Sequence, residues 1–233
     1  MKPNTEGTMK VAAKVVLVFA AVLALPLFAA QPAGAVACSS VATISAWAAL
    51  GSTGCVDDDK LYVFLNNGPD TALPGTSTFA VGTILQPPSG ASHTVAFGFG
   101  TTLAPGTYSI EYSVTITSVG PTFGTVSIDT TVPGSSAPGV TGVKNITNST
   151  GTNVISDLTS TDGNPGGPEN FPAGLTFIDV SEVFTVPTGG IISGATNTYT
   201  EVNVPQAPAP ASLILLGLGL VGAGALRRKM KAA

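Results

Sequence analysis

Charge is scarce in this sequence. Only 9% of its 233 residues are Asp, Glu, Lys or Arg, against the quarter usual in soluble domains. Basic residues are nearly missing from the middle of the chain. Between Cys38 and Pro210 there are two lysines, Lys60 and Lys144, against twelve acids, so this stretch carries 2 − 12 = −10 while the whole chain carries −4. A surface so acidic repels phosphates and excludes nucleic acid as a partner. Histidine occurs once, at His93. That rules out a zinc centre built on two or three histidines and leaves one candidate base for a Ser-His-Asp triad. His93 lies in Ser92-His93-Thr94, inside a strand-like run, with no Gly-x-Ser-x-Gly near it. No phosphate loop or dinucleotide fingerprint is present. Paired carboxylates of the glycosidase kind remain open among twelve acids, but two lysines and the single Trp47 grip sugar poorly. The expectation is a domain that is not an enzyme, with no catalytic residue, cofactor or metal. Asp57-Asp58-Asp59 and the acids of the Asp162–Asn170 segment read as solvated turns, since the ligand spacing of a calcium loop is missing.

Gly 28, Pro 18 and a hydrophobic fraction of 44% are what the chain has instead. Such a composition favours strands and turns over helices. From Tyr108 to Thr117 the even positions are apolar and the odd ones polar, the pattern of a strand with one buried face. Pro105-Gly106 turns the chain just before it, and Gly120-Pro121 precedes a second run, Phe123 to Val132. Leu61 to Leu65, Phe79 to Leu85, Thr94 to Phe99, Val154 to Leu158, Leu175 to Val186 and Ile191 to Tyr199 complete a set of eight. Val41 to Leu50 reads equally as a short helix or a strand. The expected fold is all-β, a sandwich or jelly-roll-like domain over residues 38–203.

The two ends read as addresses. Lys10 and Lys14 precede an apolar run from Val15 to Leu25, which Pro26 ends. Ala35-Val36-Ala37 then offers small residues for signal peptidase, with cleavage before Cys38 and Ala35 and Ala37 as the recognition residues. Residues 1–37 are therefore expected to be a signal peptide, starting at Met1 or Met9. A retained anchor and a lipoprotein acylated on Cys38 are the alternatives. Ala35 stands where a lipoprotein normally has a bulky aliphatic residue. Export makes a Cys38–Cys55 disulfide the default for the only two cysteines.

At the other end, residues 204–210 form a Pro/Ala linker. Ala211 to Leu226 is an uncharged run of sixteen residues, and residues 227–233 form a basic tail opened by Arg227, Arg228 and Lys229. As a helix the run reaches about 24 Å at ~1.5 Å per residue, short of the ~30 Å hydrocarbon core. It is expected to be a marginal transmembrane helix with its basic stop in the cytoplasm. Pro208-Ala209-Pro210, then Ser212-Leu213, the Leu/Gly-rich run and Arg227-Arg228 resemble the PEP-CTERM sorting signal. The departure is Ala209, where the family has Glu.

That resemblance implies an exosortase, a membrane transpeptidase, as a partner that cleaves near the tripeptide. It also implies a Gram-negative bacterium that makes exopolysaccharide. Gly54-Cys55-Val56-Asp57-Asp58-Asp59-Lys60-Leu61-Tyr62 is similar to a pattern in other PEP-CTERM proteins, with Leu65 or a shifted Phe64 for its later Phe. Ile178 to Phe184 resembles a late strand of the same group. The expected role is an exported surface, exopolysaccharide- or biofilm-associated structural protein, passing through the inner membrane to the cell surface or matrix. The alternative is a ligand-binding module, for carbohydrate or ice, on the same anchor. Thr115-x-Thr117 and Thr196-x-Thr198-x-Thr200 are its sequence motive.

Overall fold

The computed structural model describes residues 34–86, 90–100 and 103–203. The expected signal peptide up to residue 33 and the linker, apolar run and basic tail from residue 204 lie outside these residues. Thirteen strands follow in chain order: β1 (Val36–Ala37), β2 (Cys55–Asp57), β3 (Lys60–Asn66), β4 (Thr71–Ala72), β5 (Thr78–Gln86), β6 (Gly90–Gly98), β7 (Gly106–Ile116), β8 (Pro121–Thr131), β9 (Thr141–Thr147), β10 (Asn153–Thr161), β11 (Gly166–Asn170), β12 (Phe177–Val186) and β13 (Gly194–Asn203). They form two sheets. Sheet I runs β1-β2-β3-β7-β12-β9-β10, with β4 beside β7, and sheet II runs β11-β8-β13-β6-β5. The β1/β2 and β4/β7 pairs are parallel and the others antiparallel.

Alternation fixes which face each strand buries. On β7 the side chains of Ile110, Tyr112, Val114 and Ile116 are buried; on β12 those of Ile178, Val180, Phe184 and Val186 are; on β13 those of Ala195 and Tyr199 are. The two inner faces meet through aromatic rings. Phe97 of sheet II stands 6.0 Å from Tyr112 of sheet I, and Phe99, just beyond β6, stands 5.5 Å from Phe184 of sheet I, both edge-on. The open question at Val41 to Leu50 is settled as a helix, α1 (Ile44–Ala48), whose N-cap Thr43 accepts from the Ala46 N–H at 3.2 Å. The helix plugs one end of the core with Trp47, which is fully buried, stacks on Phe79 at 4.0 Å and donates its indole N–H to the Tyr62 carbonyl.

Glycine matters at two places. Gly54 has φ +62, and a Cβ there would lie 2.4 Å from the Tyr62 carbonyl oxygen, so the Gly54-Cys55 step admits only glycine. Gly142 on β9 faces sheet II with no room to spare: a Cβ would lie 2.7 Å from Thr130 and 3.3 Å from Ile128. This brings β9 close to β8.

Candidate functional site

The domain's two lysines are both fully buried, and each organises a cluster of charge between the sheets. Lys60 opens β3 at the Asp57-Lys60 turn and points inward, beside Ile116 of β7. Its ammonium contacts the carboxylates of Asp59 and of Glu201, which reaches across from β13. Burial pushes both carboxyls up. Lys60 and Ser118 more than offset that at Asp59, and His93 and Lys60 do so at Glu201, so both sit below their ordinary values. His93 on β6 is buried. Thr83 donates its one hydroxyl proton to Asp57 at 2.7 Å, so His93 Nδ1, 2.9 Å away, is the donor to Thr83. His93 Nε2 lies 3.6 Å from Glu201 Oε2.

Ligand atoms of Asp58, Asp59 and His93 fall within 4.8 Å of one another. In this trio a divalent cation would find three donors, but Lys60 already neutralises Asp59 and would repel it. Lysine in the cluster therefore does the work a metal would do there. The turn is less solvated than its three aspartates suggest, because only Asp58 is exposed.

The second cluster sits deeper. Lys144 of β9 and Glu182 of β12 are direct cross-strand partners, both fully buried, with Nζ 3.8 Å from Oε1. Tyr112 donates to Glu182 Oε1 at 2.5 Å, and the Tyr112 and Tyr199 hydroxyls are 2.8 Å apart. Since Tyr112 gives its proton to Glu182, Tyr199 donates to Tyr112, and Lys144 donates to Tyr199 at 3.3 Å. A relay thus closes from the amine back to the carboxylate. The ammonium also lies 4.7 Å above the Tyr199 ring. Burial pulls the Lys144 amine down to about 8, with Glu182 opposing the fall. Burial and the neighbouring Glu182 push both phenols well above their ordinary value. Asn197, also fully buried, has no hydrogen-bond partner for either carboxamide atom among the described residues.

On the outer face of sheet I a shallow groove of about 260 Å³ is lined by Leu65, Glu111, Asn145, Thr147, Asp179 and Ser181. Burial, and then Glu111, raise the Asp179 carboxyl.

Of the residues singled out from the sequence, Cys38 and Cys55 are joined, with an S–S distance of 2.09 Å. Ala37 and its neighbour Val36 are exposed in β1, and Ala35 precedes them. His93 is an interior strand residue, and part of the Asp162–Asn170 segment is strand β11. Pro208, Ala209, Pro210, Ser212, Leu213, Arg227, Arg228 and Lys229 lie outside the described residues. Sequence reasoning missed Lys144, Glu182 and Asn197. The signal was there: Gly142, Lys144 and Ile146 alternate inward on one strand.

Residues 206–229 match the family model of the PEP-CTERM protein-sorting motif. No curated protein matches the sequence. Among solved structures, TmCBM61 in complex with β-1,4-galactotriose is similar at 11% identity and TM-score 0.29, over 54% of this chain and 88% of that one. The enzymatically active domain of tailspike protein 4 from bacteriophage CBA120 is similar at 8% identity and TM-score 0.26, over 63% of this chain and 20% of that one. Neither likeness is close enough to bear on what the domain binds.

Proposed function

We propose, from the PEP-CTERM protein-sorting motif matched at residues 206–229, that the chain is a structural protein of the cell surface or extracellular matrix, exported and then handed to an exosortase. The single observation that carries this reading is the sorting motif at residues 206–229. The run it contains is short for a permanent span and ends in a basic stop. Export suits the domain: one disulfide and a surface rich in Ser, Thr and Asp. Deleting residues 211–233 should free the domain into the periplasm. Replacing Pro208 and Pro210 with Ala should hold the uncleaved chain in the inner membrane. Unchanged fractionation of both variants would contradict the reading.

A second reading has one observation in its favour. Thr196, Thr198 and Thr200 stand in a row on the outward face of β13, the central strand of sheet II. Their cross-strand neighbours are Ser92, Thr94 and Ala96 on β6, and Ser127 and Asp129 on β8, where a bulge leaves Thr200 without a register partner. Such a face repeats at about 4.8 Å across strands and about 6.8 Å along them, with a single charge. Hydroxyl-rich surfaces with regular spacing suit a regular lattice such as ice. A sugar ligand is less well served, because Trp47 is buried and offers no stacking platform. Thermal hysteresis that disappears in Thr196→Lys/Thr198→Lys would favour this reading, and its absence from the wild type would remove it.

A further inference from the structure

We propose that Lys144 and Asn197 become joined after folding by an amide bond between Nζ and Cγ, formed by the protein itself with Glu182 as the proton carrier. Three observations place the reactants together. Lys144, Glu182 and Asn197 are all fully buried at the centre of the sandwich. The Lys144 Nζ reaches across from sheet I to sheet II, lying 3.5 Å from the Ser127 carbonyl oxygen and 3.3 Å from the Tyr199 hydroxyl. Asn197 is two residues before Tyr199 on the same inward face, and its cross-strand partner is Ile128, the residue after Ser127. The amine and the carboxamide thus approach the same neighbours, the Ser127–Ile128 step of β8 and Tyr199 of β13, from the two sheets, and the lysine's four rotatable bonds give Nζ the freedom to reach Cγ. Gly142 permits this approach by letting β9 settle against Ile128.

The groups are chemically matched. A carboxamide held in a protein core without a partner is rare, and here neither Asn197 atom has one among the described residues. Burial has already weakened the Lys144 amine's hold on its proton, to about 8. Roughly a tenth of it is then neutral at pH 7, and a neutral amine is the nucleophile the reaction needs. Nζ attacks Cγ and the Cγ–Nζ bond forms. Glu182, 3.8 Å from Nζ, takes the proton that Nζ loses and delivers it to Nδ2. The Cγ–Nδ2 bond breaks and ammonia leaves. No oxidant, reductant or cofactor is consumed. The product exchanges a buried cation and an unpartnered carboxamide for one amide, and it ties β9 of sheet I to β13 of sheet II. For a protein displayed outside the cell, such a tie resists proteases and pulling. The bond depends on the fold alone and does not rest on the sorting reading.

The test is mass spectrometry of the folded full chain, intact and after peptic digestion. The expected result is a loss of one ammonia beyond the disulfide's two hydrogens, and a branched peptide joining Lys144 to Asn197. Trypsin should not cleave after Lys144 in the unfolded wild type. The Lys144→Arg, Glu182→Gln and Asn197→Ala variants should keep the unlinked mass. Because the wild type itself is decisive, a variant that fails to fold leaves the proposal testable. A wild type at full mass, cleaved by trypsin after Lys144, overturns it. So does a loss of ammonia confined to a linear peptide, which would be a succinimide at Asn197.

Discussion

Lys60 and Glu201 pair from opposite sheets at one rim of the sandwich, the lysine fully buried and the glutamate nearly so. Asp59 shares the same ammonium. The cluster therefore clamps β3 of sheet I to β13 of sheet II, near the disulfide end of the chain. Its strength lies in completeness. A buried ion pair adds little over an apolar pair of the same shape, but removing one partner strands the other in a poor solvent.

Lys60→Ala should accordingly cost about 3–5 kcal/mol, because Asp59 and Glu201 would then repel each other unneutralised. Urea unfolding followed by Trp47, the only tryptophan, measures it. Adding Glu201→Gln to Lys60→Ala should recover part of the loss. A single-variant cost under about 1 kcal/mol, the range of surface pairs, would show that the cluster is not clamping the sheets.

The same cluster predicts acid sensitivity. Asp59 and Glu201 both titrate below their ordinary values when folded. Their contribution is present above the unfolded carboxylate range, about 4, and is lost as pH falls through the lower folded values. Urea midpoints should drop below pH 4, and drop less in Lys60→Met/Asp59→Asn/Glu201→Gln. An equal drop in both would place the acid-labile groups elsewhere.

At alkaline pH the deeper cluster acts with the opposite sign. A lysine at about 8 when folded and near 10.5 when unfolded holds fewer protons in the native state across that window. Stability should rise with pH between them. The Asn197→Ala variant, whose lysine stays free, should gain up to ~3 kcal/mol from pH 8 toward 10, before the tyrosines ionise. Wild type carrying the proposed amide has nothing there to titrate and should stay flat. A flat profile in Asn197→Ala would show that burial does not perturb this amine.

Cys38→Ser/Cys55→Ser removes a link across a sequence separation of 17. In the chain-entropy model a loop of that length contributes roughly 3 kcal/mol. The loss should appear as a lower urea midpoint with the strand signal in circular dichroism intact. An unchanged midpoint would mean that the packing of Trp47 alone holds this end.

The all-β layering was legible because alternation is local: from Tyr108 to Thr117 the buried face follows from the order of residues alone. The short strands were not. β1, β2 and β4 span two or three residues each, and only pairing to a neighbour makes them strands. β9 was passed over because Gly142 and Lys144 break its apolar face, and both make sense only against sheet II. The same holds for Glu182 and Asn197. A polar residue at an inward position reads from sequence as a solvated one until the facing sheet is known. Cys38 and Cys55 were legible because export and a count of two leave one pairing.

The measurement that bears most directly on the sorting of this protein is the mass of its C-terminal peptide, taken from protein recovered at the cell surface or in the medium. Processing by an exosortase predicts that the chain ends close to Pro208-Ala209-Pro210, with Ala211 to Ala233 gone. Surface protein that still carries Arg227, Arg228 and Lys229 would contradict it and leave a plain tail anchor in its place.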